Sequence, residues 1–103
     1  MSTTLDTSTQ EGAMIERTVV VATQIGLHAR PAAVFCKAAA AQPAGVTLAT
    51  AEGDSADARS MLSVLGLGVR GGQQVTLSAD PDTAGAQASV DALAELLATD
   101  LDA

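Results

Sequence analysis

Gly26-Leu27-His28-Ala29-Arg30-Pro31-Ala32 is the stretch from which the fold can be read. Upstream runs Thr18-Val19-Val20-Val21-Ala22-Thr23, rich in β-branched residues. Downstream, residues 32–41 are dominated by alanine and contain neither glycine nor proline. β-branched side chains suit a pleated strand and alanine suits a helix interior, so the stretch connects a strand to a helix. Pro31 fits the first helical position, where its missing N–H is not needed and its fixed φ already matches the helix. His28 and Ala29 then stand beside free helix N–H groups and the positive end of the helix dipole. Such a place receives anions, phosphate above all. The chain's single histidine, the arginine two residues on and exposed amides meet at one point. Together they mark a candidate site for binding or carrying a phosphoryl group.

The whole chain narrows the function classes. Its 103 residues make one domain with an ordinary hydrophobic core. That core must be built from small aliphatic contacts, because Phe35 is the only aromatic residue. A net charge of −7 leaves too little basic surface for nucleic acid, and base-stacking aromatics are missing. Cys36 is the single cysteine, which excludes an internal disulfide and a cysteine-rich zinc site. Its setting among small apolar residues reads as a buried, inert thiol. One His and one Cys do not close a metal site, so neither metal nor cofactor is expected. No stretch approaches a membrane span, and the N-terminus lacks the basic and apolar regions of a secretion signal. The expected location is the cytoplasm, without membrane insertion, as a monomer.

Taken in order, residues 1–13 are rich in Ser, Thr and Gly and read as a disordered extension. Met14 directly precedes the first structured run, and two readings stay open: a true extension, or a chain starting at Met14. Residues 16–23 read as a strand. A helix over residues 30–41 follows, with Val34, Phe35, Ala38 and Ala41 as its apolar stripe and Lys37 off it. Gln42-Pro43-Ala44-Gly45 ends it. Strands follow over 46–50 and 56–58, separated by Glu52-Gly53-Asp54-Ser55. Ser60 opens a helix of barely two turns over 61–65, closed by Gly66 and dependent on packing. Gln74–Ala79 alternates clearly, with Val75, Leu77 and Ala79 on one face. Asp80-Pro81-Asp82 predicts the start of the last helix, Asp80 acting as N-cap. Its stripe is Ala86, Val90, Leu93 and Leu97, with Asp91 and Glu95 outward. The order βαββαβα, with two-faced strands, predicts an α+β open-faced sandwich. It has a four-stranded, mostly antiparallel sheet and three helices on one face. The domain spans 14–103.

These residues reach a known family. Gly-Leu-His-Ala-Arg-Pro-Ala at 26–32 closely resembles the active-site signature of HPr, the histidine-containing phosphocarrier of the bacterial sugar phosphotransferase system. A second block, Ser60-Met61-Leu62-Ser63-Val64-Leu65-Gly66-Leu67-Gly68, resembles that family's regulatory-serine segment. The spacing of the two blocks and the element order match the family's open-faced sandwich. The resemblance implies that His28 takes a phosphoryl group from enzyme I, which draws it from phosphoenolpyruvate, and passes it to EIIA domains of sugar permeases. Arg30 resembles the family's active-site arginine, and Ser60 the serine that HPr kinase phosphorylates in some bacteria. Ala29, Ala33, Lys37, Met61, Leu62 and Leu65 match positions of the partner-docking face. The chain would be a phosphoryl carrier rather than a free-standing enzyme. Ile25 departs from the family, which commonly has Asn or Ser there, and Ser63 stands where a glycine is common.

The chemistry follows from the residue types. A neutral imidazole keeps one ring nitrogen unprotonated and can attack phosphorus. The resulting dianion meets the helix amides and the Arg30 guanidinium, whose fork suits phosphate oxygens. Bland readings stand beside each role. His28 could be a surface residue ahead of a helix, Arg30 a surface ion-pair partner, Ser60 simply an N-cap. Met61, Leu62 and Leu65 could all be core, although so short a helix cannot bury every apolar side chain. Two functional alternatives also remain at this stage. One is a paralogous carrier for nitrogen control or dihydroxyacetone phosphorylation, the other a module binding a small ligand non-covalently.

Overall fold

A computed structural model of the chain describes residues 14–101, and the extension read at 1–13 lies outside the described residues. The elements are β1 (Ile15–Val20), α1 (Ala29–Ala40), β2 (Thr47–Thr50), β3 (Ser55–Asp57), α2 (Met61–Gly66), β4 (Gln74–Ala79) and α3 (Ala86–Leu97). The expected order βαββαβα holds. The four strands form one sheet in the order β1-β4-β2-β3, and every pairing is antiparallel.

The register explains which face is covered. Leu48 pairs with Leu77 and with Ala56, and Thr50 with Val75, so these side chains share a face, and all are buried. The other face carries Thr18 opposite Thr76 and Glu16 opposite Ser78, polar residues that stay in contact with water. The three helices cover the first face. α1 contributes Ala32, Phe35, Cys36 and Ala39; α2 contributes Val64; α3 contributes Val90, Leu93, Ala94 and Leu97. Phe35 is fully buried, as the only aromatic of an aliphatic core should be. Arg17 sits on the helix-facing side of edge strand β1, opposite Leu77, and its guanidinium reaches Asp91 of α3 at 3.2 Å. No helix among the described residues is long and apolar enough to cross a membrane.

Four local expectations need correction. β1 ends at Val20 rather than Thr23, because the chain turns away from the ladder: Ala22 donates instead to the carbonyl of Leu97 at 2.9 Å. Pro31 is the third helical residue, since α1 begins at Ala29. It remains within the first turn, where no intrahelical donor is lost. The buried stripe of α1 runs through Ala32, Phe35, Cys36 and Ala39, while Val34 and Ala41 face outward. Asp80 does not cap α3. Its carboxylate accepts from the amide of Asp82 at 2.9 Å, closing a local turn that competes with helix. The helix starts only at Ala86, after Gly85 in the left-handed region at φ 81°. A Cβ on Gly85 would press on the ring of Pro43, so glycine serves both conformation and packing.

Candidate functional site

The site begins with a loop that cannot move freely. Gly26 has φ +79° and donates its amide to the carbonyl of Thr23 at 2.9 Å. A Cβ there would overlap the carbonyl of Val69, and one on Gly71 would overlap the carbonyl of Gln24. Leu27 is buried and donates to the Val69 carbonyl at 2.9 Å. The strand-to-helix loop is thus pressed directly, backbone on backbone, against residues 69–71. On its other flank Thr23 is fully buried, and its hydroxyl accepts from the amide of Leu101 at 2.8 Å.

His28 is set on this support. It is the N-cap of α1, with extended φ −89° and ψ −171°, and its carbonyl accepts the first helical bond from Ala32 at 2.9 Å. Its side chain does not cap the helix amides, and the residue is exposed together with Ala29 and Arg30. No acidic residue lies in the first turn of α1 to offset the positive end of its dipole. His28 and Arg30 therefore both lie exposed at the N-terminus of α1.

Ser60 is likewise an N-cap, here of α2. Its Oγ accepts from the Ser63 amide at 3.4 Å and donates to the Ser63 Oγ at 2.9 Å. α1 and α2 pack on each other, so the two capped helices belong to one surface. On α1 that surface shows Ala33 and Lys37, both exposed. On α2 only Val64 is buried; Met61 and Leu65 are half-buried, and Leu62 is 84% exposed. Ile25, ahead of His28, is 61% exposed. Leu62 is the most exposed of the large hydrophobic side chains among the described residues.

The charges divide cleanly. Among the described residues Arg17 pairs with Asp91 and Arg59 with Asp57, at 3.3 Å, whereas Arg30, Lys37 and Arg70 enter no ion pair. Hydrogen bonds from the Arg59 side chain and backbone hold the Asp57 carboxyl below the usual carboxylate range. Burial, and next the charge of Asp57, pushes the Cys36 thiol up. The thiol is buried in the core. Among the described residues no group of three ligating side chains could hold a metal ion.

Part of the support had no signal in the sequence. Thr23 and Leu101 are 78 positions apart, and Gly71 reads locally as nothing more than a turn. Only the fold shows that residues 69–71 are the wall of the His28 loop, and that Arg70 stands in it.

Known proteins resemble this chain over nearly all of the described part. The family model for the PTS HPr component phosphorylation site matches residues 15–99. Phosphocarrier protein HPr of Streptomyces coelicolor is 47% identical over 89 residues, which cover 86% of this chain and 94% of that one. That of Haloferax volcanii is 46% identical over 86 residues, 82% of this chain and 94% of that one. Among solved structures, a phosphocarrier protein HPr from Bacillus anthracis superimposes with a TM-score of 0.75 at 28% identity, covering 82% of this chain and 98% of that one. HPr-C-His from Thermoanaerobacter tengcongensis gives 0.77 at 30% identity, covering 87% and 98%.

Proposed function

The chain belongs to the HPr family of phosphocarriers of the phosphotransferase system, and from that membership we propose that His28 is its phosphoryl acceptor. In this reading His28 takes the group from phosphorylated enzyme I, charged by phosphoenolpyruvate, and yields it to EIIA domains of sugar permeases in the cytoplasm. The observation that carries the reading is the exposed His28 at the N-terminus of α1, with Arg30 in the same turn.

The step is an in-line exchange. An unprotonated imidazole nitrogen of His28 attacks phosphorus, a new N–P bond forms, and the bond from phosphorus to the donor breaks, its electron pair leaving with the donor. No metal or oxidant is needed for balance. The dianion is received by the amides of the first turn and by the Arg30 guanidinium, whose paired donors match phosphate oxygens. A carrier must also release the group. An open surface site lets the partner close around it, so most of the rate enhancement comes from positioning and charge stabilisation in the complex. The fixed 23–27 loop serves that purpose, because a nucleophile held in place costs little ordering on encounter.

Ala29, Ala33, Lys37, Met61, Leu62 and Leu65 form the partner face in this proposal. Small residues let a partner approach the α1 backbone, and Leu62 supplies an apolar anchor. Ser60 is the regulatory point, phosphorylated by an HPr kinase. A dianion on an N-cap is compatible with the helix, so the fold stays intact. The same charge beside Met61 and Leu62 opposes docking of an acidic partner.

Incubation with phosphoenolpyruvate and enzyme I, followed by intact-mass measurement, tests the main step. One acid-labile phosphoryl group is expected on the wild type and none on His28→Ala. An unmodified wild type, beside an enzyme I active on another carrier, would rule the reading out.

A further inference from the structure

Acidic side chains avoid two long stretches of this chain. Residues 17–51 and 58–79 contain no aspartate or glutamate, yet they hold all five basic residues: Arg17, Arg30, Lys37, Arg59 and Arg70. The fold joins these stretches at the His28 loop. Leu27 donates to the carbonyl of Val69 at 2.9 Å. A Cβ on Gly26 would stand 2.6 Å from the Cα of Arg70. No side chain separates the two backbones, so Arg70 springs from a point in contact with the residue two positions ahead of His28.

The backbone of Arg70 is itself fixed. Its amide donates to Gln73 Oε1 at 3.0 Å, its carbonyl accepts from the Gln73 amide at 3.1 Å, and Gly72 donates to the Val21 carbonyl at 2.8 Å. The residue is exposed, and its guanidinium enters no ion pair among the described residues. A fixed backbone thus carries, on the segment that backs the His28 loop, a guanidinium that enters no ion pair among the described residues.

We infer that Arg70 is a docking residue of the His28 site, presenting its guanidinium to a carboxylate-bearing surface of the protein that delivers the phosphoryl group. The inference rests on the phosphocarrier reading above. Its basis is electrostatic. A chain of net charge −7 repels an acidic partner at long range, so cations gathered where encounter is productive set both orientation and on-rate. Arg30 occupies the turn where the phosphoryl group arrives. Arg70 lies on the adjoining segment, outside that turn, so its effect falls on encounter with the partner rather than on the reacting atoms.

The test is steady-state phosphoryl transfer from phosphoenolpyruvate through enzyme I to the full chain, with Arg70→Gln, Arg70→Glu and Arg70→Lys. Arg17→Gln, which removes an equal charge from the β1 edge, is the control. For the carrier, KM is expected to rise about threefold in Arg70→Gln and about tenfold in Arg70→Glu, with kcat unchanged and the effect shrinking in high salt. Arg70→Lys keeps the charge and should stay near the wild-type KM, which separates docking from lost packing. A wild-type KM in Arg70→Glu, or an equal rise in Arg17→Gln, overturns the inference while leaving His28 phosphorylation standing. A wild type that takes no phosphoryl group at all overturns both.

Discussion

The amide of Leu101 donates to the hydroxyl of Thr23 at 2.8 Å, tying the C-terminal turn to the loop that carries His28. A second bond, from Ala22 to the carbonyl of Leu97, runs parallel to it. Thr23 is fully buried, so the hydroxyl cannot exchange this donor for water. Thr23→Val keeps the shape and deletes the acceptor, leaving the Leu101 amide unpaired. The expected loss is about 1–2 kcal/mol in denaturant unfolding. Amide exchange should show the reason locally, with protection falling at Leu101 before it falls in β4. Unchanged protection there would mean that the bond contributes nothing to holding the turn.

Gly26 and Gly72 both have positive φ, at +79° and +84°, but only Gly26 lacks space. Alanine at 72 meets nothing and should cost only the left-handed penalty, about 1 kcal/mol. Alanine at 26 pays that penalty and also drives the Val69 carbonyl away, breaking its bond to Leu27. Its cost should exceed about 2 kcal/mol, and transfer to His28 should slow with it, because the displaced segment is the floor of the site. Equal destabilisation of the two variants in thermal or denaturant unfolding would show that the 24–27 and 69–71 segments are not in close contact.

Ser60 can be divided into a structural and a regulatory part by substitution. Ser60→Ala removes the acceptor for the Ser63 amide and the partner of the Ser63 hydroxyl, at an expected cost of about 1 kcal/mol. Ser60→Asp retains a capping oxygen and should unfold near the wild-type midpoint. It should nevertheless raise the KM for phosphoryl transfer from enzyme I, because the new charge faces the partner beside Met61 and Leu62. An Asp variant with the wild-type transfer rate would sink the regulatory proposal while leaving the cap intact.

How far the sequence could be read depended on the range of the interactions involved. The alternation of Gln74–Ala79 and the stripe Ala86, Val90, Leu93, Leu97 are local periodicities, and both matched the structure. The His28 turn was legible for the same reason: strand, glycine, histidine and proline follow one another within a few residues. Asp80 misled because two local devices compete for one carboxylate, and the turn to Asp82 won over the helix. Val34 misled by a rotation of the stripe by one residue, which periodicity in an alanine-rich helix barely constrains. The loop's support was invisible altogether. It consists of backbone contacts between segments more than forty residues apart and of the Thr23–Leu101 bond. Such contacts leave only glycines and a threonine as their trace.

Asp57 links two titrations of opposite sign. Its pKa is lowered, first by the Arg59 side-chain hydrogen bond, so the ionised pair stabilises the fold above the unfolded aspartate pKa of about 3.9 and the contribution is lost as pH falls below it. Both side chains are about half exposed, at 53% and 51%, so water screens the pair and its contribution is small. Cys36 behaves in the reverse sense. Its pKa is raised, mainly by burial and secondly by Asp57, so the folded chain keeps its proton after the unfolded one has ionised. That contribution is whole below the unfolded thiol pKa of about 8.5 and drains away as pH climbs through the folded value. Asp57→Asn should therefore lower stability slightly at pH 7, converge with wild type in strong acid, and shift the thiol titration downward. Thiol-reagent labelling of Cys36 near pH 8 should stay slow in both proteins and become fast only in denaturant. Rapid labelling of the folded wild type would contradict the buried position of this thiol on the inner face of α1.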